Sequence, residues 1–153
     1  MSRLQLALNV DHLDDAIAHY TKVFGVGPAK VRPGYANFAI VNPPLKLVLI
    51  ENPGADDSVN HLGVEVESVD EVRAAHERAT QAGLPIFVEG ETTCCYAVQN
   101  KFWIEGGEHR FEVYTVLADA DQMQNSPKSA DARPVAVAVE QPAACCAPSP
   151  VSC

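Results

Sequence analysis

A chain of 153 residues, 47% of them hydrophobic, can bury one sizeable core but is short for several domains. Its 20 acidic side chains against 11 basic ones give a net charge of -9, which argues against nucleic acid, because a phosphate backbone needs a basic footprint. The opening residues are broken by Arg3, Gln5 and Asn9 too early for a signal peptide, and no apolar run is long enough to span a membrane, so the expected location is the cytoplasm. Five cysteines, an odd number with no export signal, read as reduced thiols rather than a disulfide framework.

In chain order, Leu4, Leu6 and Leu8 alternate with Gln5, Ala7 and Asn9, a period of two that predicts a strand. Helical spacing over 12–24, with Asp11 as start signal and Gly25 as stop, predicts a helix. Short strands are expected over 29–32, 35–41 and 45–51, parted by Pro33-Gly34 and by Asn42-Pro43-Pro44. The pattern then restarts. Residues 60–66 repeat the first strand, and 69–82, opened by Ser68 and stopped by Gly83, repeat the helix. Strands follow over 86–89, 96–104 and, after Gly106-Gly107, 110–117. The chain is therefore α+β, built as β-α-β-β-β twice over. The modules occupy about 3–52 and 59–117 of a domain covering 1–118. Each module is too small to bury its own sheet face, so the two would pair, a step that periodicity alone does not supply.

Alternation also sorts the polar residues. Gln5 opposes its leucine neighbours, His61 opposes Leu62, and Glu112 opposes Phe111 and Val113, so all three are expected on one face of the sheet. Singly, each has an ordinary alternative: a strand-edge amide, a satisfied core histidine, a solvated carboxylate. The adjacent pair Cys94-Cys95 carries more. Two neighbouring thiols can chelate one soft, thiophilic centre. Their ordinary alternatives are a strained disulfide or two small buried residues. Both could not face one atom from a regular strand, so they are expected in an irregular turn, with 89–93 forming a polar loop beside them.

The run 5–20, the repeat starting His61-Leu62-Gly63 and the closing Arg110-Phe111-Glu112-Val113-Tyr114 resemble the vicinal oxygen chelate superfamily of glyoxalases, bleomycin-resistance proteins and extradiol dioxygenases. That resemblance implies one curved mixed sheet around a metal-binding cleft, with Gln5, His61 and Glu112 as metal ligands. The fourth carboxylate of glyoxalases falls at about Val48, which cannot coordinate. Three protein ligands leave positions open, as in non-haem iron dioxygenases.

Together with Cys94-Cys95, the segments 27–40, 44–51 and 94–99 resemble the bacterial carbon-arsenic lyases, also known as cadmium-induced proteins. The resemblance implies an Fe(II) cofactor, dioxygen as co-substrate, and a trivalent methyl- or aryl-arsenical held by Cys94 and Cys95. Arsenite would be released, in organoarsenical detoxification. Tyr96 and Lys101 are candidates for a substrate loop. Residues 119–153, rich in Ala, Pro and Ser, are expected to form a disordered tail in which Cys145 and Cys146 are candidates for accessory arsenic capture. Two other classes remain open: a soft-metal (arsenic or cadmium) sequestration protein without turnover, and a glyoxalase-type isomerase.

Overall fold

A computed structural model describes residues 1–123. The first module contains β1 (Arg3–Val10), α1 (Leu13–Phe24), β2 (Lys30–Arg32), β3 (Tyr35–Ile40) and β4 (Leu45–Glu51). The second contains β5 (Val59–Glu65), α2 (Val69–Gln81), β6 (Ile86–Cys94), β7 (Ala97–Ile104) and β8 (Phe111–Asp119). All eight strands form one sheet in the order β2-β3-β4-β1-β5-β8-β7-β6. Within each module the first strand pairs in parallel with the last, and the modules join through the antiparallel pair β1 and β5. The sequence repeat is therefore a structural one.

Two helices cover one face of this curled sheet. The leucine side of β1 packs under α1 with Phe38, Ile40, Leu47 and Leu49. Val64, Phe102, Phe111 and Val113 pack against Val72 and Ala79 of α2. The opposite face carries Gln5, Ala7, His61 and Glu112, the division expected from the alternation. Burying the apolar side of each strand under a helix thus sends the polar side into the concavity.

The helix starts differ from one another. Ser68 caps α2, its hydroxyl accepting from the Glu71 amide. Asp11 does not cap α1. That N-cap is His12, Glu51 of β4 accepts the Leu13 amide, and Asp11 accepts from the Gly54 amide instead. The expected loop at 89–93 is also corrected, since those residues continue β6 as far as Cys94. Gly90, at φ 70°, absorbs a register shift against β7, so the edge strand bends without ending. At the other end, β8 runs one residue past the expected boundary at 118, to Asp119.

One glycine lies at the centre of the concave face. Gly63 stands in register between Gln5 on β1 and Glu112 on β8. With no side chain at that point, the two long polar side chains meet above the backbone. A Cβ added there would lie 2.7 Å from the Glu112 carbonyl oxygen and 3.1 Å from the Glu112 Cβ. Gly63→Ala should therefore cost about 1–3 kcal/mol of stability, the usual cost of overpacking, and should push β8 away. Thermal denaturation of the variant checks this; an unchanged melting temperature would contradict it.

Candidate metal and thiol site

Gln5, His61 and Glu112 converge, and all three are buried. The Gln5 amide nitrogen lies 2.9 Å from His61 Nε2 and donates to Glu112 Oε2 at 2.8 Å, while His61 Nε2 and Glu112 Oε2 are 3.4 Å apart. His61 Nδ1 sits 2.8 Å from the Asn60 side-chain oxygen, an acceptor that holds the ring proton on Nδ1 and leaves the Nε2 lone pair facing the trio. Trp103 meets the imidazole edge-on with ring centres 5.2 Å apart, which fixes its plane.

Glu112 is fixed from its other oxygen. Lys101 Nζ donates to Glu112 Oε1 at 2.9 Å and lies 3.1 Å from Glu89 Oε2, which also accepts from Trp103 Nε1 at 3.0 Å. Burial alone would raise the Glu112 pKa. The nearby His61 ring and the Lys101 ammonium, which donates to it, outweigh this and hold the carboxyl at about 2. The pKa of Lys101 is raised although its own burial opposes this, because Glu112, Cys94 and Glu89 surround it with acidic groups. Both members of the pair stay charged at neutral pH.

This ionisation has a stability consequence. A carboxyl whose folded pKa lies below its ordinary value near 4.5 stabilises the fold above that value and loses the contribution as the pH falls toward about 2. In chelator, the melting temperature should fall across that window, and more steeply than for Glu112→Gln. Parallel pH profiles for the two proteins would refute this.

The donor set fits a metal ion. Rotating the Gln5 amide by half a turn replaces its nitrogen with a carbonyl oxygen. Oxygen, imidazole nitrogen and carboxylate oxygen then converge with no proton between them, an arrangement only a cation satisfies. Among the described residues, no three His, Cys, Asp or Glu side chains form a metal-holding cluster; this trio has a glutamine in the third place. The register also locates the missing carboxylate. Gly63 pairs with Glu112, and its counterpart Ala7 pairs with Val48, which packs with Ala7, Tyr35 and Tyr96 as an apolar wall.

Cys94 ends β6 and Cys95 opens a two-residue turn into β7. Cys95 and Tyr96 both have left-handed φ, 57° and 60°, the backbone that a tight two-residue hairpin requires and that non-glycine residues adopt at a cost of about 1–2 kcal/mol each. That twist takes Cys95 off the strand alternation. The two sulfurs lie 2.8 Å apart, Cys94 buried and Cys95 half-buried. The hydrogen bond to Cys94, then burial, then the acidity of Cys94 and Glu112 push the Cys95 thiol pKa up, with Lys101 opposing. The pair and the trio are thus in electrostatic reach of each other.

The turn is held by the first module. The Tyr96 hydroxyl donates to the Pro33 carbonyl at 3.0 Å, Lys30 Nζ donates to the Tyr96 carbonyl at 3.1 Å, and Tyr35 packs on Tyr96 with ring centres 5.6 Å apart. The chain beyond β8 adds two backbone bonds, Ala120 N to Tyr96 O and Tyr96 N to Gln122 O, and Met123 packs against the cluster of Ala7, Tyr35, Val48 and Tyr96. These contacts tie residues 120–123 to the thiol turn and its packing cluster. Cys145 and Cys146 lie outside the described residues.

Of the two candidates for a substrate loop, Tyr96 is in the thiol turn, whereas Lys101 lies within β7 as the buried partner of Glu112. Alternation places Glu65 and Tyr114 on the concave face without giving them a role, and it does not single out Lys46 or Glu89. Lys46, set among leucines in 45–51, was the one visible signal, since a charge on an otherwise apolar strand must face a partner.

The family model of the glyoxalase/bleomycin resistance protein/dioxygenase superfamily matches residues 3–103. The chain belongs to this superfamily. A relative from Mycobacterium tuberculosis, named cadmium-induced protein CadI, is 56% identical over 132 residues, 86% of this chain and 87% of that one. Another, from Thermomonospora curvata, is named trivalent organoarsenical cleaving enzyme and is 54% identical over 136 residues, 88% of this chain and 90% of its own. Among solved superfamily structures, the Mn(II)-bound glyoxalase from Novosphingobium aromaticivorans superposes with a TM-score of 0.56 at 18% identity. It covers 82% of this chain and 44% of that one, a likeness of fold. No helix among the described residues is long and apolar enough to cross a membrane.

Proposed function

We propose that this chain is an Fe(II)-dependent dioxygenase that cleaves the carbon-arsenic bond of trivalent methyl- and aryl-arsenicals and releases arsenite. The observation that carries the reading is the pair of touching thiols on a strained turn, Cys95 packing on the cluster that contains Ala7, the residue in register with His61 of the Gln5, His61 and Glu112 trio. The relative named for organoarsenical cleavage supports the same reaction. Gln5, His61 and Glu112 would hold the metal. Iron held there would supply redox chemistry with dioxygen.

The chain's own residues seat the arsenical. A trivalent arsenic bearing one organic group has two exchangeable hydroxyls. Each As–O bond is replaced by an As–S bond to Cys94 or Cys95, and each thiol proton leaves with the hydroxide as water, so no charge accumulates in the buried turn. Tyr35, Val48 and Tyr96 offer apolar surface for the organic group, while Lys101 keeps Glu112 ionised and oriented. For a methyl substrate, CH3As(OH)2 plus O2 balances to As(OH)3 plus formaldehyde.

The iron-loaded protein should therefore release arsenite and consume oxygen in air, and stop when oxygen is withdrawn. Zinc loading should abolish turnover, since zinc is redox-inert. Undiminished arsenite release under strict anaerobiosis would rule out the dioxygenase and favour a glyoxalase-type isomerase or hydrolytic reading. Binding without turnover in air would leave sequestration.

A further inference from the structure

Behind Gln5, on the side away from His61, lies a second buried polar group that the reaction does not use. The Tyr114 hydroxyl, on a fully buried side chain, donates to Gln5 Oε1 in a very short contact and lies 3.0 Å from Glu65 Oε2. Glu65 Oε2 also accepts from Lys46 Nζ at 2.9 Å, and Glu65 Oε1 accepts from Arg3 at 3.0 Å. A phenol has one proton and cannot serve Gln5 and Glu65 at once. Burial opposes ionisation of Glu65, but Lys46 and Arg3 outweigh it and lower its pKa, so the carboxylate remains an acceptor only. The conflict disappears if the Gln5 amide turns over. Its nitrogen then donates to the Tyr114 oxygen, Tyr114 donates to Glu65, and the Gln5 carbonyl oxygen points at His61 and Glu112.

We infer that Tyr114, anchored by Glu65, Lys46 and Arg3, is the positioning residue that sets which end of the Gln5 amide faces the metal. A glutamine, unlike a histidine or a carboxylate, offers one coordinating atom and one repelling one, so a metal site that uses it requires a device to choose between them. In the orientation present in this structure, the two amide hydrogens occupy the lone pairs of His61 Nε2 and Glu112 Oε2. Metal binding exchanges that arrangement for the reversed one. Tyr114 and Glu65 make the exchange favourable by completing a hydrogen-bond chain from the Gln5 amide through the Tyr114 hydroxyl to Glu65, the acceptor that Lys46 and Arg3 hold from the other side.

This inference rests on Gln5 being a metal ligand, and the test separates the two claims. Fe(II) affinity is measured by anaerobic equilibrium dialysis with metal analysis. Tyr114→Phe should weaken it about 10- to 100-fold, the range typical of groups that orient a ligand. Glu65→Gln, which keeps the shape but replaces the carboxylate with a weaker acceptor, should weaken it in the same direction by less. The decisive step is repetition in a Gln5→Glu background. A carboxylate has two equivalent oxygens and needs no orienting, so Tyr114→Phe should there change affinity less than twofold. A merely structural role for Tyr114 would cost the same in both backgrounds. Equal loss in both, or no loss in either, would overturn the proposal. Failure of the parent reading would look different: Gln5→Ala would bind Fe(II) as tightly as the natural chain. Should Tyr114→Phe not fold, the Glu65→Gln comparison across the two backgrounds decides alone.

Discussion

Serine at either Cys94 or Cys95 is expected to weaken binding of trivalent methylarsenic at least about 100-fold while leaving the Fe(II) content unchanged. The magnitude follows from chelation. Once one sulfur holds the arsenic, the second bond forms within the molecule at an effective concentration that free thiols cannot match, and removing either sulfur forfeits that gain of about 10²- to 10⁴-fold. Strain adds to it. Cys95 and Tyr96 sit at left-handed φ, held by Pro33, Lys30 and the backbone of Ala120 and Gln122, so the two sulfurs are already together before substrate arrives. Serine preserves the shape of the turn and changes only the softness of the donor. Titration of the arsenical followed by metal analysis measures both quantities. A serine variant that binds as tightly as the natural chain would remove the thiols from the site.

Loss of metal is the second large effect. His61→Ala and Glu112→Ala should each reduce Fe(II) affinity beyond the 10- to 100-fold typical of outer-sphere changes, because each deletes a donor. Their effects on the fold differ. His61→Ala empties space beside Trp103 and leaves Lys101 with both carboxylates. Glu112→Ala strips a buried ammonium of one partner, and breaking a buried pair in that way costs about 3–5 kcal/mol. Glu112→Ala should therefore melt well below His61→Ala in chelator, although both bind little metal. Full iron occupancy in either would refute the ligand assignment.

Features set by neighbouring residues were legible in the sequence. Leucine alternation on β1 announced the strand and placed Gln5 on the face opposite the helix, and Pro33-Gly34 announced the first turn. The strand β6 is not legible after Glu89, because an edge strand facing a polar cleft carries no apolar signature, and glycine and threonine look like loop. The thiol turn could not be assigned a backbone, since cysteine and tyrosine are not residues that advertise positive φ. The group around Tyr114 was hidden for another reason. Arg3, Lys46, Glu65 and Tyr114 come from four strands, and only the pairing register brings them together. Val48 as the counterpart of Glu112 came from the glyoxalase resemblance, and the register supports it, since Ala7 pairs with Val48 as Gly63 pairs with Glu112.

That repeat also gives the cup a direction. A duplicated module produces two equivalent halves, and a ligand placed on their shared axis could sit either way round. Here the β2–β3 turn, Pro33-Gly34, and the β6–β7 turn, Cys95-Tyr96, occupy matching places in the two halves and meet through the Tyr96 hydroxyl. In the proposed reaction the second would grip the arsenical while the first braces it. Glu112 faces one side of the axis and Val48 the other, so charge lies on one flank and apolar surface on the opposite flank. The two seatings that symmetry would allow are no longer equal in energy, and neither half alone contains a working site. A chain made by joining two copies of the second module would duplicate the thiols and lose the brace.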